Sequence, residues 1–129
     1  MDQTSNSPER RRFTRIPFST RVIFSNSSGI WHGELLDISL HGLLMSRPDN
    51  WDEGAGGACR ITVALERGGP EINVEGRLVH AGERFFGLRF EQMDLPSATH
   101  LRRLIALNLG DERLLERELA ELIKAHGET

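Results

Sequence analysis

The sequence predicts a mainly β fold, a six-stranded antiparallel β-barrel followed by two short C-terminal α-helices. Short segments in which apolar and polar residues alternate are separated by turns rich in glycine, serine and asparagine, which is the pattern of a small barrel. After about residue 97 the apolar residues recur at spacings of three and four, which is the period of a helix. The chain has 129 residues, with 13 glycines and 5 prolines, so one domain with many turns is expected.

Six segments carry the strand pattern, with β-branched and aromatic residues at many of their positions. They are Phe18 to Ser25, Ile30 to Leu36, Leu43 to Met45, Arg60 to Glu66, a returning segment with Ile72, Val74 and Leu78 on one face, and Phe85 to Phe90. Asn26 to Gly29 and Arg67 to Pro70 are turn sequences. Pro48 to Gly57 is expected to be a loop in which Trp51 folds back over the core, and Gly76 marks a bend in a curved sheet.

Two helices are expected at the end of the chain. In the first, Ser97 is the N-cap and the apolar stripe consists of Leu101, Leu104, Ile105 and Leu109. Gly110 is a natural stop and Asp111 a natural N-cap for the second helix, whose stripe consists of Leu115, Leu119 and Leu122. The other face of this second helix is charged and is predicted to be solvated.

The composition limits the classes of protein that the chain can be. Residues 1–9 are expected to form a disordered tail ahead of one domain at 10–129, with the barrel at about 16–92 and the helices at about 97–126. Apolar runs fall well short of the roughly 20 residues of a membrane helix, and the N-terminus lacks the apolar core of a secretory signal. These features predict a cytoplasmic monomer. One cysteine, Cys59, excludes an internal disulfide, and the five histidines lack metal-ligand spacing.

Charge is distributed unevenly along the chain. The net charge of −3 argues against a DNA-binding protein. Residues 1–22, however, hold five arginines against Asp2 and Glu9, which is +3, so the remainder carries −6. Fifteen of the 16 cationic side chains are arginine, whose planar fork suits the paired oxygens of phosphates. Genomic base composition could explain that ratio alone, but not four arginines within residues 10–15.

Two clusters next to strand boundaries could carry chemistry. The first contains Arg11 and Arg15, and an arginine fork matches a phosphate or the O6 and N7 acceptors of guanine. The second runs from Asp37 through Ser39 to Gly42. A carboxylate complements the N1–H and amino group on the opposite edge of guanine, and a serine hydroxyl both donates and accepts. Gly42 permits a positive φ or a close backbone approach. Together the clusters suit one surface for a ligand with phosphates and guanines.

The order and spacing of these clusters resemble a known family. Arg11-x-x-x-Arg15 followed about twenty residues later by Asp37-x-Ser39-x-x-Gly42 resembles the paired signature of the PilZ domain. Members of that family are bacterial receptors for the second messenger cyclic di-GMP, built on a six-stranded barrel. Three segments also resemble the stand-alone PilZ proteins of pseudomonads, namely Glu9 to Ile16, Asp37 to Leu43 and His100 to Leu119.

The resemblance implies a role for each motif residue. Arg11 and Arg15 would grip phosphates and guanine Hoogsteen edges, Asp37 and Ser39 would hold a guanine from its other edge, and Gly42 would shape the turn. Arg10 favours binding of two mutually intercalated cyclic di-GMP molecules. His80 stands where close relatives have a tryptophan that packs on a base, and its imidazole offers less stacking area.

The resulting hypothesis is a non-enzymatic cyclic di-GMP receptor without a cofactor, which changes shape and contacts an unidentified downstream protein. A second hypothesis is an interaction adaptor whose PilZ-like barrel acts without nucleotide, for which the His80 departure is the support. A third is a weak RNA or single-strand binder that uses the basic tail. The plainer interpretations are a solvated basic tail and an ordinary turn. No nucleophile–base pair or carboxylate dyad indicates an enzyme.

Overall fold

A computed structural model describes residues 20–51, 57–64, 70–109 and 112–127 of the chain. Its six strands are β1 Arg21–Asn26, β2 Gly29–Ile38, β3 Gly42–Ser46, β4 Gly57–Ala64, β5 Glu71–Ala81 and β6 Phe85–Met93. They are followed by helix α1 Leu95–Leu109, a 3-10 helix Glu112–Glu116 and helix α2 Leu119–Ala125.

The six strands form a closed antiparallel barrel in the order β1-β2-β3-β6-β5-β4, with β4 pairing back onto β1. This confirms the predicted fold class. The β1–β2 turn also forms as predicted, because the Asn26 side-chain oxygen accepts from the Ser28 N–H at 2.7 Å. Parts of several predictions lie outside the described residues, namely Phe18 and Ser19 of the first strand, residues 52–56 of the loop, residues 65–66 of the fourth strand and residues 67–69 of the hairpin.

The barrel interior is filled by the alternate residues of each strand. Aromatic rings dominate one end of it, where the centroids of Phe24 and Trp31 are 5.1 Å apart and those of Trp51 and Phe86 are 4.9 Å apart. Trp51 therefore folds back over the core as predicted. Cys59 also faces the interior, and burial raises the pKa of its thiol to about 11.

Helix α1 begins at Leu95, two residues earlier than the predicted cap. The predicted N-cap, Ser97, is wrong, because the carboxylate of Asp94 accepts the Ser97 N–H at 2.7 Å and caps the first turn. The Ser97 hydroxyl instead accepts the Asn73 N–H of β5 at 2.9 Å, so it fixes the helix against the barrel. Three residues of the predicted apolar stripe are buried, Leu101 and Ile105 fully and Leu104 to 5% exposure.

The second predicted helix is confirmed as α2, but it is shorter than predicted. The segment divides into the 3-10 helix and α2, with the break at Arg117 and Glu118. A capping box at Glu118 and Glu121 starts α2. The predicted cap at Asp111 and stop at Gly110 lie outside the described residues.

The predicted apolar stripe of this segment is buried, but in two separate places. Leu115 joins the barrel core, whereas Leu119 and Leu122 form a second cluster with Leu44 and Phe85. That second cluster lies on the outer surface of the barrel, since the neighbours of Leu44 and Phe85 along their strands face the interior. Helix α2 therefore covers one patch of the outer barrel wall.

Among the residues that the structure describes, no helix is long and apolar enough to cross a membrane.

Candidate functional site

Asp37 is turned to the outer face of the barrel by a β-bulge. The pairing of β2 with β3 shifts register between Leu35 and Asp37, so that Asp37 lies opposite Leu44. Directly opposite residues of two strands point to the same face, and Leu44 points outward under α2. Strict alternation from the inward-facing Leu35 would instead have placed Asp37 inside the barrel. The bulge thus brings the Asp37 carboxylate to the surface that α2 covers.

Two side chains from the end of the chain bind the Asp37 carboxylate. The guanidinium of Arg117 donates two hydrogen bonds, from Nη2 to Oδ1 at 2.7 Å and from Nη1 to Oδ2 at 3.2 Å. The Nε2 atom of His126 lies 3.2 Å from Oδ2. The Asp37 side chain is only 4% exposed, so this pairing compensates the loss of its hydration.

Ser39 connects the motif loop, which is the junction of β2 and β3 at residues 37–42, to the same C-terminal segment. Its hydroxyl donates to the Arg117 carbonyl at 2.8 Å and accepts the His41 N–H at 3.1 Å. The Leu40 N–H donates to the Leu115 carbonyl at 2.8 Å. Ser39 is fully buried, so both motif residues with polar side chains are covered by residues 112–127. This segment, which comprises the 3-10 helix and α2, is called the C-terminal clasp below.

Gly42 begins β3 at a point of close backbone approach. A Cβ at this position would lie 2.5 Å from the Leu88 carbonyl oxygen and 3.2 Å from a methyl group of Leu119. Its φ is not in the left-handed region, which is found in the described residues only at Gly57 and Gly127. Of the two reasons that the sequence offered for a glycine here, the close approach is therefore the one that applies.

A second bulge turns His80 to the outer face. The pairing of β5 with β6 shifts register between Leu78 and His80, and His80 lies opposite Gly87. Its imidazole packs on the ring of Phe85, with centroids 5.3 Å apart and an angle of 38° between the planes. His126 contacts the same phenyl ring edge-on, at 5.9 Å and 69°. His80 is thus linked to the Asp37 region through Phe85 and His126.

Arg117 and His126 are the residues at this site that the sequence analysis missed. Arg117 belongs to the charged face of the second predicted helix, which was expected to be solvated. It is only 21% exposed, however, and it connects the C-terminal segment to Asp37 of β2. The sequence gives only a weak signal for the role of Arg117. A buried carboxylate such as Asp37 requires a cationic partner, but the sequence does not indicate which arginine provides it. His41 adds a peripheral contact to the clasp, with Nε2 at 3.5 Å from a Glu116 carboxylate oxygen.

The structure brings Asp37, Ser39 and Gly42 together at the junction of β2 and β3, with His80 on a neighbouring stretch of the outer wall. The other three predicted ligand residues, Arg10, Arg11 and Arg15, lie outside the described residues, as does the predicted tail at residues 1–9.

The fold and this loop define a small β-barrel domain with a polar motif at the junction of two strands. The model of the PilZ domain family matches residues 9–107, and the chain belongs to that family. PilZ domains bind cyclic di-GMP and are receptor domains rather than enzymes. Among solved structures, the chain is similar to the PilZ domain of CeSA from a cellulose synthesizing bacterium. The two are 20% identical over 70% of this chain and 89% of that one, with a TM-score of 0.48.

Proposed function

We propose that this protein is a cyclic di-GMP receptor in which the nucleotide and the C-terminal clasp compete for Asp37. The observation that carries the proposal is the bidentate pairing of Arg117 with Asp37. A guanidinium presents two parallel N–H donors to the carboxylate, and the Watson–Crick edge of guanine presents the same pair from N1–H and the amino group. The clasp thus supplies Asp37 with the donor pattern of the proposed ligand.

The motif residues divide the recognition of the nucleotide between them. Arg11 and Arg15 bind phosphates and guanine Hoogsteen edges, for which an arginine fork is suited. Asp37 and Ser39 bind the opposite guanine edge, and Gly42 keeps the loop close to β6, where a side chain would meet the Leu88 carbonyl. Arg10 supports binding of two intercalated nucleotides in one site.

Binding of the nucleotide would release the clasp and so produce the signal. The ligand can reach Asp37 and Ser39 only when Arg117 leaves them, because both side chains are buried beneath the clasp. Release uncovers apolar side chains on the outer wall, Leu44 and Phe85, and the apolar face of α2 that packs on them. These surfaces become available to a downstream protein, which is a shift between two states driven by the ligand.

The clasp also favours a second candidate, an adaptor that acts without nucleotide. If the pairing of Arg117 and His126 with Asp37 is permanent, the barrel presents one fixed surface whatever the nucleotide concentration. The two candidates differ in one observable, namely whether cyclic di-GMP binds at all.

Isothermal titration calorimetry with cyclic di-GMP tests the proposal. Binding at micromolar or lower nucleotide concentration is expected for the wild type, with two nucleotides per chain, and its loss in Arg11→Ala and Arg15→Ala. Arg60→Ala is the matched control, since this 70% exposed arginine lies on β4 beside Glu75 and should not alter binding. Absence of heat in the wild type would contradict the receptor and favour the adaptor.

A further inference from the structure

Phe85 is an aromatic side chain in the cluster that lies between the outer barrel wall and α2. Its ring lies on the outer wall of the barrel, 3% exposed, where α2 covers it. His80 packs on it at 5.3 Å, and the Arg84 guanidinium lies 6.0 Å from its centroid. A flat apolar ring with a cation beside it is suited to the base of an anionic nucleotide.

The imidazole of His126 marks the space between this ring and Asp37. One edge of the imidazole faces Asp37, with Nε2 at 3.2 Å from Oδ2. The same imidazole contacts the Phe85 ring edge-on, with the centroids 5.9 Å apart and an angle of 69° between the planes. A planar heterocycle therefore already forms a polar contact with Asp37 and an aromatic contact with Phe85 from one position.

The barrel surface next to the His126 imidazole has a shallow depression, because Gly87 has no side chain there. A Cβ on Gly87 would lie 3.2 Å from the Cβ of His80 and 3.4 Å from a methyl group of Ile123 in α2. Ile123 thus occupies the space over Gly87 while the clasp is closed. When the clasp leaves, the depression beside Phe85 is open for a ring larger than an imidazole.

We infer that Phe85 is the main stacking surface for the guanine that Asp37 binds, in place of His80. The inference rests on the proposed function, since the clasp must leave before a base can reach the ring. Phe85 then compensates for the small stacking area of His80. Guanine takes the place of His126 beside Asp37 and turns its face, rather than its edge, to the Phe85 ring. Base–aromatic stacking contributes enough affinity for its loss to be measurable in a titration.

Phe85→Leu tests this inference because leucine preserves apolar packing against α2 but removes the aromatic face. We expect about a tenfold or larger loss of cyclic di-GMP affinity by calorimetry, and a smaller loss in His80→Ala. A residue that only packs the clasp would give the opposite sign, because a looser clasp competes less well for Asp37. Leu122→Ala is the control for that effect and should bind the nucleotide as tightly as the wild type or more tightly.

A second measurement does not depend on any variant. In the wild-type complex, NMR should show nuclear Overhauser contacts between the Phe85 ring protons and a guanine of cyclic di-GMP. If the wild type does not bind the nucleotide, the proposed function fails. If it binds, but Phe85→Leu is as tight as the wild type, or His80→Ala loses more affinity, or the contacts are absent, then the assignment of Phe85 is wrong and the receptor function stands.

Discussion

At the scale of single residues, the attachment of the clasp to the barrel depends on how the charge of Asp37 is compensated. An ionised carboxylate removed from water loses several kcal/mol of hydration, which only good hydrogen-bond geometry recovers. Arg117 provides two charge-assisted bonds and His126 a third contact. These contacts join residues about 80 to 90 positions apart in the chain, so one carboxylate connects the motif loop to the end of the molecule.

Replacing Arg117 with methionine is expected to lower the free energy of unfolding by about 3 kcal/mol, because the buried Asp37 carboxylate then loses its guanidinium partner. Methionine retains most of the apolar stem, so the change is mainly the loss of the guanidinium. Urea denaturation followed by tryptophan fluorescence measures the effect. The control Arg60→Met removes an exposed arginine 3.8 Å from Glu75 and should cost about 0.5 kcal/mol or less. Equal stability of both variants would contradict the role of Arg117.

At the scale of elements, the start of helix α1 is fixed by Asp94. Its carboxylate accepts the Ser97 N–H, and this backbone hydrogen bond is the main cause that lowers the pKa of Asp94 below 3.8. A carboxyl whose pKa is lower in the folded state stabilises the fold above its unfolded pKa. That contribution is lost as the pH falls through the folded pKa.

Asp94→Ala should therefore lower the melting temperature at pH 7. The difference from the wild type should shrink as the pH falls below the unfolded pKa of about 3.9 and through the lower folded pKa. Thermal unfolding followed by circular dichroism at several pH values measures this. Asp94→Asn retains a side-chain oxygen that can accept the Ser97 N–H, so its effect at pH 7 should be smaller than that of Asp94→Ala. Its difference from the wild type should change by the same amount over this pH range, because only the wild-type carboxyl titrates. A difference between Asp94→Ala and the wild type that persists unchanged at low pH would rule out the cap as its origin.

The elements also show which features a sequence pattern can predict. The β-barrel follows from local alternation, which is why the strands containing Ile61, Val63 and Ile72 were found. The bulges that turn Asp37 and His80 outward were not predicted, because the direction of these two side chains is set by pairing with neighbouring strands rather than by their own segments.

The end of the chain shows the same limit. Leu115, Leu119 and Leu122 have spacings of four and three, which fit one continuous helix. The segment is divided instead, and Arg117 at the break reaches Asp37. A tertiary contact of this kind leaves no periodic signal in the sequence. The sequence predicted the motif residues of the candidate site and their position next to a strand boundary. It did not predict the residues that cover them, because these are brought there by tertiary contacts.

At the scale of the whole molecule, the clasp couples the motif loop to one outer wall of the barrel. The 3-10 helix packs beside the loop through Leu115, and α2 covers Leu44 and Phe85. Because Arg117 lies between the two helical pieces, a ligand that takes Asp37 from it acts on both of them. The proposed signal is thus the release of residues 112–127 from a barrel that itself keeps its structure.

The distribution of charge along the chain is compatible with a small anionic ligand. An acidic molecule repels long polyanions, and the arginines at residues 10–15 concentrate positive charge in one short stretch. The proposed ligand, cyclic di-GMP, is small enough to be bound where this positive charge is concentrated.

Hydrogen–deuterium exchange of the wild-type protein, with and without saturating cyclic di-GMP, tests the central claim most directly. The competition for Asp37 predicts that amides of α2, residues 119–125, exchange faster when the nucleotide is bound, while strands β5 and β6 keep their protection. Unchanged or increased protection of α2 in the bound protein would contradict it, because the clasp would then remain on Asp37 while the ligand binds elsewhere.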